Sequence, residues 1–90
     1  MPTELGGRVD IDARRLRHRR EAADLTQVQL AVLAGVSPGT VSRLERSTQL
    51  THLATVEALA AALGCEALSL VAPEDRARIT AVHVPGEGAA

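Results

Sequence analysis

The chain has 90 residues and a formal net charge of −1, from ten basic and eleven acidic side chains. A chain of this length buries only roughly 60 to 65% of its unfolded surface, which allows one small domain and disfavours a second independent one. Apolar residues make up 46% of the sequence, yet Phe, Tyr and Trp do not occur. We therefore expect a core of Leu, Val, Ile and Ala, which suits short helices that pack closely.

Several protein classes are disfavoured by what the sequence lacks. No apolar run approaches the roughly 18 residues of a membrane span, and the first residues lack the basic-then-apolar order of a signal peptide. Cys65 is the single cysteine, so an internal disulfide or a cysteine-rich zinc site cannot form. We expect a cytoplasmic protein with no membrane contact, and a domain this small often recruits a second copy of itself.

Charge is divided between the two halves of the chain. Residues 8–51 carry eight arginines and five acidic residues, a net charge of +3, whereas residues 52–90 carry two arginines and five acidic residues, a net charge of −3. A basic half suits a protein that meets a polyanion with one face, although an ordinary solvated surface is the alternative.

The N-terminal part of the chain predicts a tail and then a helix. Residues 1–11 are expected to be a flexible tail, because the first seven contain glycine and show no apolar periodicity. Asp12 can cap the free backbone N–H groups of a first helix that runs to Ala23.

A second helix is predicted over Gln27–Ala34. Thr26 can cap it, with Gln29 at the capping-box position three residues later. Gly35 ends it, because glycine accepts the positive φ of a tight helix stop.

A third helix is predicted over Pro38–Arg46, since Ser37 is a cap residue followed by proline at the first helical position. Two short helices separated by three or four residues make a helix-turn-helix candidate. Thr51 can cap a fourth helix, which Gly64 ends. Its apolar residues recur at the spacing of a core-facing helix: Leu53, Val56, Leu59, Ala60 and Leu63.

Beyond Gly64 the pattern favours β structure. Residues 67–72 partly alternate and residues 78–84 are rich in β-branched side chains, so each range predicts a short strand. A helix over residues 73–81 is the competing interpretation, because proline at its start is followed by two acidic residues. Residues 85–90 are expected to be a second flexible tail.

The predicted second and third helices contain an ordered set of motifs, together with parts of the first: Arg15-Leu16-Arg17, Arg20-Glu21, Leu25-Thr26-Gln27, Leu30-Ala31, Gly35-Val36-Ser37 and Thr40-Val41-Ser42-Arg43-Leu44-Glu45. Over residues 12–64 this set resembles the phage repressor and Cro-like (XRE) helix-turn-helix family. The resemblance implies a mostly α, lambda-repressor-like DNA-binding core of four helices, with the predicted short β element C-terminal to it.

The resemblance also implies roles for individual residues. The structural positions are an ion pair between Arg20 and Glu45, the helix crossing at Ala31, the turn at Gly35, and the core anchors Val41 and Leu44. The DNA-binding positions are Gln27, Ser37, Pro38, Gly39, Thr40, Ser42, Arg43 and Arg46. Among these, Arg43 is the expected base reader, because its guanidinium has the two-pronged donor geometry that matches guanine O6 and N7.

Residues 65–73 are similar to the tail of HipB-type antitoxins within the same family, where a strand pairs with its copy in a second subunit. On that basis residues 65–84 are expected to be a dimerisation segment, with an interface of Leu68, Leu70, Ile79 and Val82. Apolar residues at Val28, Val32 and Leu33 indicate an extra hydrophobic contact with the C-terminal segment or with a partner protein, although scattered apolar surface residues are common.

The sequence therefore predicts a dimeric, sequence-specific regulator that binds duplex DNA at a palindromic operator and represses transcription. The alternative is an antitoxin that neutralises a partner toxin and regulates its own operon. Pro38 and Gly39 also leave open a helix-turn-helix kept only as a scaffold. An enzyme, a metal site and a cofactor are not expected, because no glycine-rich phosphate loop or nucleophile elbow occurs and the three histidines lack metal-ligand spacing.

Overall fold

The computed structural model describes residues 7–73. Their elements in chain order are strand β1 (Arg8–Ile11), helices α1 (Ala13–Ala22), α2 (Gln27–Ala34) and α3 (Pro38–Arg46), strand β2 (Gln49–His52), helix α4 (Leu53–Leu63) and a 3-10 helix (Ala67–Leu70). The predicted fold class, four helices with a short β element, is confirmed. None of the helices in this part of the chain has the length and hydropathy to cross a membrane.

Three helix starts follow from side-chain caps that the sequence predicts. The Asp12 carboxylate accepts hydrogen bonds from the backbone N–H groups of the next helix, at 3.0 and 3.1 Å. Thr26 and Gln29 form the reciprocal capping box of α2, at 3.0 and 2.9 Å. Ser37 accepts from the Thr40 N–H at 3.1 Å and fixes the start of α3.

The aliphatic core joins all four helices and the sheet. Its fully buried large side chains are Ile11, Leu16, Leu30, Leu44, Leu59, Leu70, Val41, Val56 and Val71. On α4 the predicted apolar stripe faces this core, with Leu53 and Leu63 at its half-buried margin. Aliphatic burial therefore holds the domain together without an aromatic residue.

The β element lies in a different place from the one predicted. Residues 8–11 are strand β1 and not part of a flexible tail, because β1 pairs with β2 in antiparallel register from Arg8 opposite His52 to Ile11 opposite Gln49. Val9 and Ile11 are buried beneath this ladder. The same pairing changes the role of Thr51, which is buried in β2 and does not cap α4; the cap position is His52, without a side-chain hydrogen bond.

The segment after α4 also departs from the prediction. Residues 67–70 form a 3-10 helix instead of a strand, and only Val71 makes a β-bridge, with Ile11 of β1. The backbone N–H of Asp12 donates to the Leu70 carbonyl at 2.7 Å, and the N–H of Ala72 donates to the Asp10 carbonyl at 2.8 Å. This segment therefore closes on the free edge of β1 in the same chain.

The same observation places two residues of the predicted dimer interface. Leu70 is completely buried in the core of its own chain, and Leu68 is half-buried. Both lie in the 3-10 helix, so neither belongs to a strand that could pair with a second copy. Ile79 and Val82, the predicted strand 78–84 and the competing helix over 73–81 lie outside the described residues, apart from a helical Pro73.

Candidate nucleic-acid interface

Helices α2 and α3 are joined by the short turn that the sequence predicts. Gly35 has a φ of 73°, the left-handed conformation that lets the chain leave α2 abruptly. Val36 then donates its N–H to the Ala31 carbonyl at 3.0 Å, and Ala31 is completely buried where the two helices pack. The small alanine side chain allows the close approach that sets the position of α3.

Helix α3 has one side in the core and one side in solvent. Val41 and Leu44 are completely buried. The side chains of Pro38, Gly39, Arg43 and Arg46 are exposed, whereas Thr40 and Ser42 are half-buried. The structure therefore brings the predicted α3 contact residues to a single exposed side of one helix.

Some polar groups on this exposed side form hydrogen bonds within the chain, and others do not. The Thr40 and Ser37 hydroxyl oxygens are hydrogen-bonded to each other at 2.9 Å. Arg46 donates from Nη1 to the Ser42 hydroxyl at 3.3 Å. Within residues 7–73 the Arg43 guanidinium forms neither a hydrogen bond nor an ion pair, so its five N–H donors are available to a ligand.

A buried polar network lies behind the helix-turn-helix. The predicted ion pair is present: Arg20 meets Glu45 through two bonds, Nε to Oε2 at 2.7 Å and Nη2 to Oε1 at 3.0 Å. The two side chains are only 12% and 4% exposed. Arg20 also donates from Nη1 to the Leu25 carbonyl at 2.8 Å. One guanidinium thus ties the end of α1, the loop before α2 and the end of α3 together.

The environment of this pair shifts both pKa values in favour of the charged forms. Burial by itself would raise the pKa of Glu45, but hydrogen bonds from Arg20 and Gln27, with the nearby positive charge of Arg20, bring it below its ordinary value. The hydrogen bond to Glu45 raises the pKa of Arg20. The ion pair is therefore charged throughout the neutral range.

Gln27 has a structural role that the sequence does not predict. Its amide nitrogen donates to Glu45 Oε1 at 3.0 Å, and the residue is half-buried. The DNA contact expected of Gln27 stays a prediction, and its amide lies against the ion pair. A role in DNA binding now depends on the remaining amide hydrogen and the backbone N–H groups at the start of α2.

Gln49 is a second residue whose role sequence reasoning misses. Its side-chain nitrogen donates to the Arg43 carbonyl at 2.8 Å and to the Ser47 carbonyl at 3.1 Å. These bonds satisfy carbonyls at the end of α3 and fasten β2 to it. A glutamine six residues from its partner matches no capping pattern, so only the tertiary structure shows this contact.

A second basic surface lies on the outward face of α1. A shallow depression of about 580 Å³ is lined by Arg14, Arg15, His18, Arg19 and Ala22. Two other arginines of α1 form ion pairs with acidic residues: Arg17 pairs with Glu21 at 3.1 Å, and Arg20 pairs with Glu45. Among the described residues no group of three or more metal-ligating side chains comes together.

The fold and the exposed side of α3 define a helix-turn-helix protein, the class in which the second helix of the motif enters the major groove of DNA. Comparison with known families agrees, because the helix-turn-helix domain model matches residues 13–73. The chain belongs to that family.

The chain is also similar to a solved regulator, the clp gene regulator ClgR from Corynebacterium glutamicum. The two share 26% sequence identity and superimpose with a TM-score of 0.58, over 86% of this chain and 76% of that one. Among curated proteins, none matches the sequence of this chain significantly. The similarity to HipB-type antitoxins in the C-terminal segment is not confirmed by these comparisons.

Proposed function

We propose that this protein is a dimeric transcription regulator that recognises a palindromic duplex DNA site through α3 and represses by occupying it. The observation that carries the proposal is the two-sided character of α3. Val41 and Leu44 are completely buried, so the helix is held firmly in place, while Arg43 is exposed and its guanidinium has no partner within residues 7–73. A rigid helix with a free arginine is suited to reading guanine in the major groove.

Neighbouring groups supply the contacts that position such a helix. Arg46 and the Thr40 hydroxyl lie on the same helix as Arg43 and suit phosphate contacts. Unpaired backbone N–H groups at the start of α2 favour a second phosphate. The predicted contact residues Ser37, Pro38 and Gly39 are exposed at the start of α3, so the backbone there can approach the duplex closely.

Two further considerations support a regulator that blocks transcription. One similar solved structure is that of a gene regulator, and a protein bound across a promoter hinders transcription by occupancy alone. Such a regulator acts in the cytoplasm, where bacterial or phage-type promoters are found. A dimer on an inverted repeat doubles the number of base contacts, which compensates for the small reading surface of α3.

Selection from a randomised duplex pool with the purified full chain tests this function, followed by affinity measurements for the selected sequence at two salt concentrations. An enriched inverted repeat, with half-sites about one helical turn apart and binding weakened by salt, is the expected result. Failure to enrich any sequence would overturn the proposal of sequence-specific recognition.

A second candidate function, an antitoxin that binds a partner toxin, is favoured by one observation. Three apolar side chains on α2 are exposed, Val28 at 56%, Val32 at 73% and Leu33 at 61%. Exposed apolar clusters of this kind mark protein interaction sites. If this function holds, replacing Val28 and Val32 with serine abolishes binding to the partner protein and leaves operator affinity unchanged.

A further inference from the structure

Among residues 7–73, no strand pairs with the outer edge of β2, which follows from the hydrogen-bond pattern of the sheet. In the described part of the chain the sheet has two strands, and β1 is covered on its other side by the bridge to Val71. In an antiparallel ladder, alternate residues direct their N–H and C=O groups toward the partner strand. The N–H of Leu53 donates to the carbonyl of Gly7, which makes 7–53 a hydrogen-bonded pair. Because such pairs alternate along the ladder, 9–51 and 11–49 are also hydrogen-bonded pairs, whereas 8–52 and 10–50 are not.

Leu50 therefore directs both of its backbone polar groups away from β1. The carbonyl of Asp10, its cross-strand neighbour, confirms the alternation by accepting from Ala72 on the far side of β1. Leu50 is also the exposed apolar side chain of this strand, at 56%. A backbone donor, a backbone acceptor and an apolar side chain thus coincide at one residue of an open edge.

This edge lacks the features that keep sheet edges apart. Charged side chains, proline and bulges are the usual protection, and the sequence from Ser47 to Val56 contains none of Asp, Glu, Lys, Arg or Pro. The four residues of β2 pair with β1 in unbroken register, without a bulge. The edge is therefore compatible with another neutral strand.

We propose that the partner of this edge is β2 of a second copy of the chain, paired antiparallel about a two-fold axis at Leu50. Two-fold symmetry places each Leu50 opposite its copy, so that each N–H donates to the other carbonyl and the two exposed side chains bury each other. Centring at Leu50 is preferred over His52, because the His52 carbonyl begins α4 as its cap.

The proposed interface deepens the proposed function, since it names the surface through which the regulator dimerises. Gln49 holds β2 to the end of α3 through the Arg43 and Ser47 carbonyls. A β2 dimer therefore fixes the two recognition helices with respect to each other. Separation of the half-sites is then set by a continuous four-stranded sheet.

Sedimentation equilibrium of the full chain without DNA tests this interface. The wild type is expected to associate reversibly into a dimer. Leu50→Lys and Leu50→Glu should each weaken association by about tenfold or more, because two like charges meet across the axis. An equimolar mixture of the two variants should recover association as a heterodimer, which a general loss of stability would not allow.

Val32→Lys is the matched control, because it adds the same charge at an exposed apolar position on α2. It should leave association unchanged. A monomeric wild type would overturn the proposal, as would a Leu50 variant that still dimerises fully or a mixture that recovers nothing. Loss of association in Val32→Lys alone would assign the dimer to α2 instead.

A backbone variant gives an independent test that does not alter any side chain. Chemical ligation at the Gly64–Cys65 junction allows N-methylleucine to be placed at position 50, which replaces the hydrogen of an N–H that β1 does not use with a methyl group. Dimerisation should weaken while the circular dichroism of the monomer is retained; equal association would refute the pairing. DNA selection reports separately on the proposed function, since half-site recognition by α3 does not require β2 pairing.

Discussion

The two sides of α3 perform different physical tasks with side chains only one position apart. Leu44 is completely buried and Glu45 is 4% exposed within a network of charge-assisted hydrogen bonds. Arg43, the preceding residue, is exposed and its guanidinium is unpaired within residues 7–73. The inner side fixes where the helix lies, and the outer side carries the groups that a ligand can meet.

This contrast means that stability and recognition can be changed separately in this domain. Groups on the inner side have several partners each, so their loss leaves other buried polar groups unsatisfied. Groups on the outer side have few or no intramolecular partners, so their loss should reduce only the free energy of ligand binding. Substitutions on each side should therefore register in different measurements.

The largest effect is expected for Glu45→Ala. Its removal leaves the Arg20 guanidinium and the Gln27 amide without their shared hydrogen-bond acceptor in a partly buried site. The free energy of unfolding should therefore fall by about 3 to 5 kcal/mol. Urea denaturation of the two proteins measures the difference. Glu21→Ala is the matched control, because Glu21 pairs with Arg17 in an exposed position where an ion pair contributes little. Comparable losses in the two variants would contradict a special role for the buried pair.

Exchanging the charges of the buried pair sharpens the same test. The double variant Arg20→Glu with Glu45→Arg should recover part of the stability that each single reversal loses. Recovery is expected to be incomplete, because the Leu25 carbonyl loses the Arg20 donor and Gln27 loses its acceptor. A double variant no more stable than the worse single variant would show that the pair does not couple.

A smaller effect is expected for Arg43→Ala, and it should appear in DNA affinity and not in the free energy of unfolding. Affinity for the selected operator should fall by about 1 to 3 kcal/mol, with relaxed preference at one base pair, while the free energy of unfolding stays the same. Arg19→Ala removes an equal charge from the outward face of α1 and should leave base preference intact. An unchanged affinity in Arg43→Ala would favour the interpretation of the motif as a scaffold.

The smallest effect is expected from acidification. Because the pKa of Glu45 is lowered in the folded state, its contribution to stability is fully present above the ordinary carboxyl value of about 4.3 and is lost as the pH falls through the lowered value. Unfolding measured from neutral pH down to this range should show the wild type approaching Glu45→Gln in stability. A constant difference between the two across that range would contradict the lowered pKa.

The helix-turn-helix could be predicted because its determinants are local. Thr26 and Gln29 form a capping box three residues apart, Ser37 precedes Pro38, and Gly35 stands where a positive φ is required. Such signals need no knowledge of distant residues. The ion pair between Arg20 and Glu45 is not local, and only the resemblance to a family predicts it.

The elements that could not be predicted depend on distant partners. Val9 and Ile11 alternate over only four residues, and their strand is defined by β2, some forty residues later. Leu68 and Leu70 alternate as in a strand, but packing against α4 and the core favours a 3-10 turn that buries Leu70. Thr51 has the side chain of a helix cap, yet strand register turns it inward.

The pairing of β1 on both of its edges also determines how the chain can fold during synthesis. Its first edge requires residues 49–52 and its second requires residues 70–72. These contacts span most of the described sequence, so loop-closure entropy delays them relative to the helices. A growing chain can therefore assemble the helix-turn-helix early, while β1 can pair with β2 only after residues 49–52 have emerged and can complete its second edge only after residues 70–72 have left the ribosome.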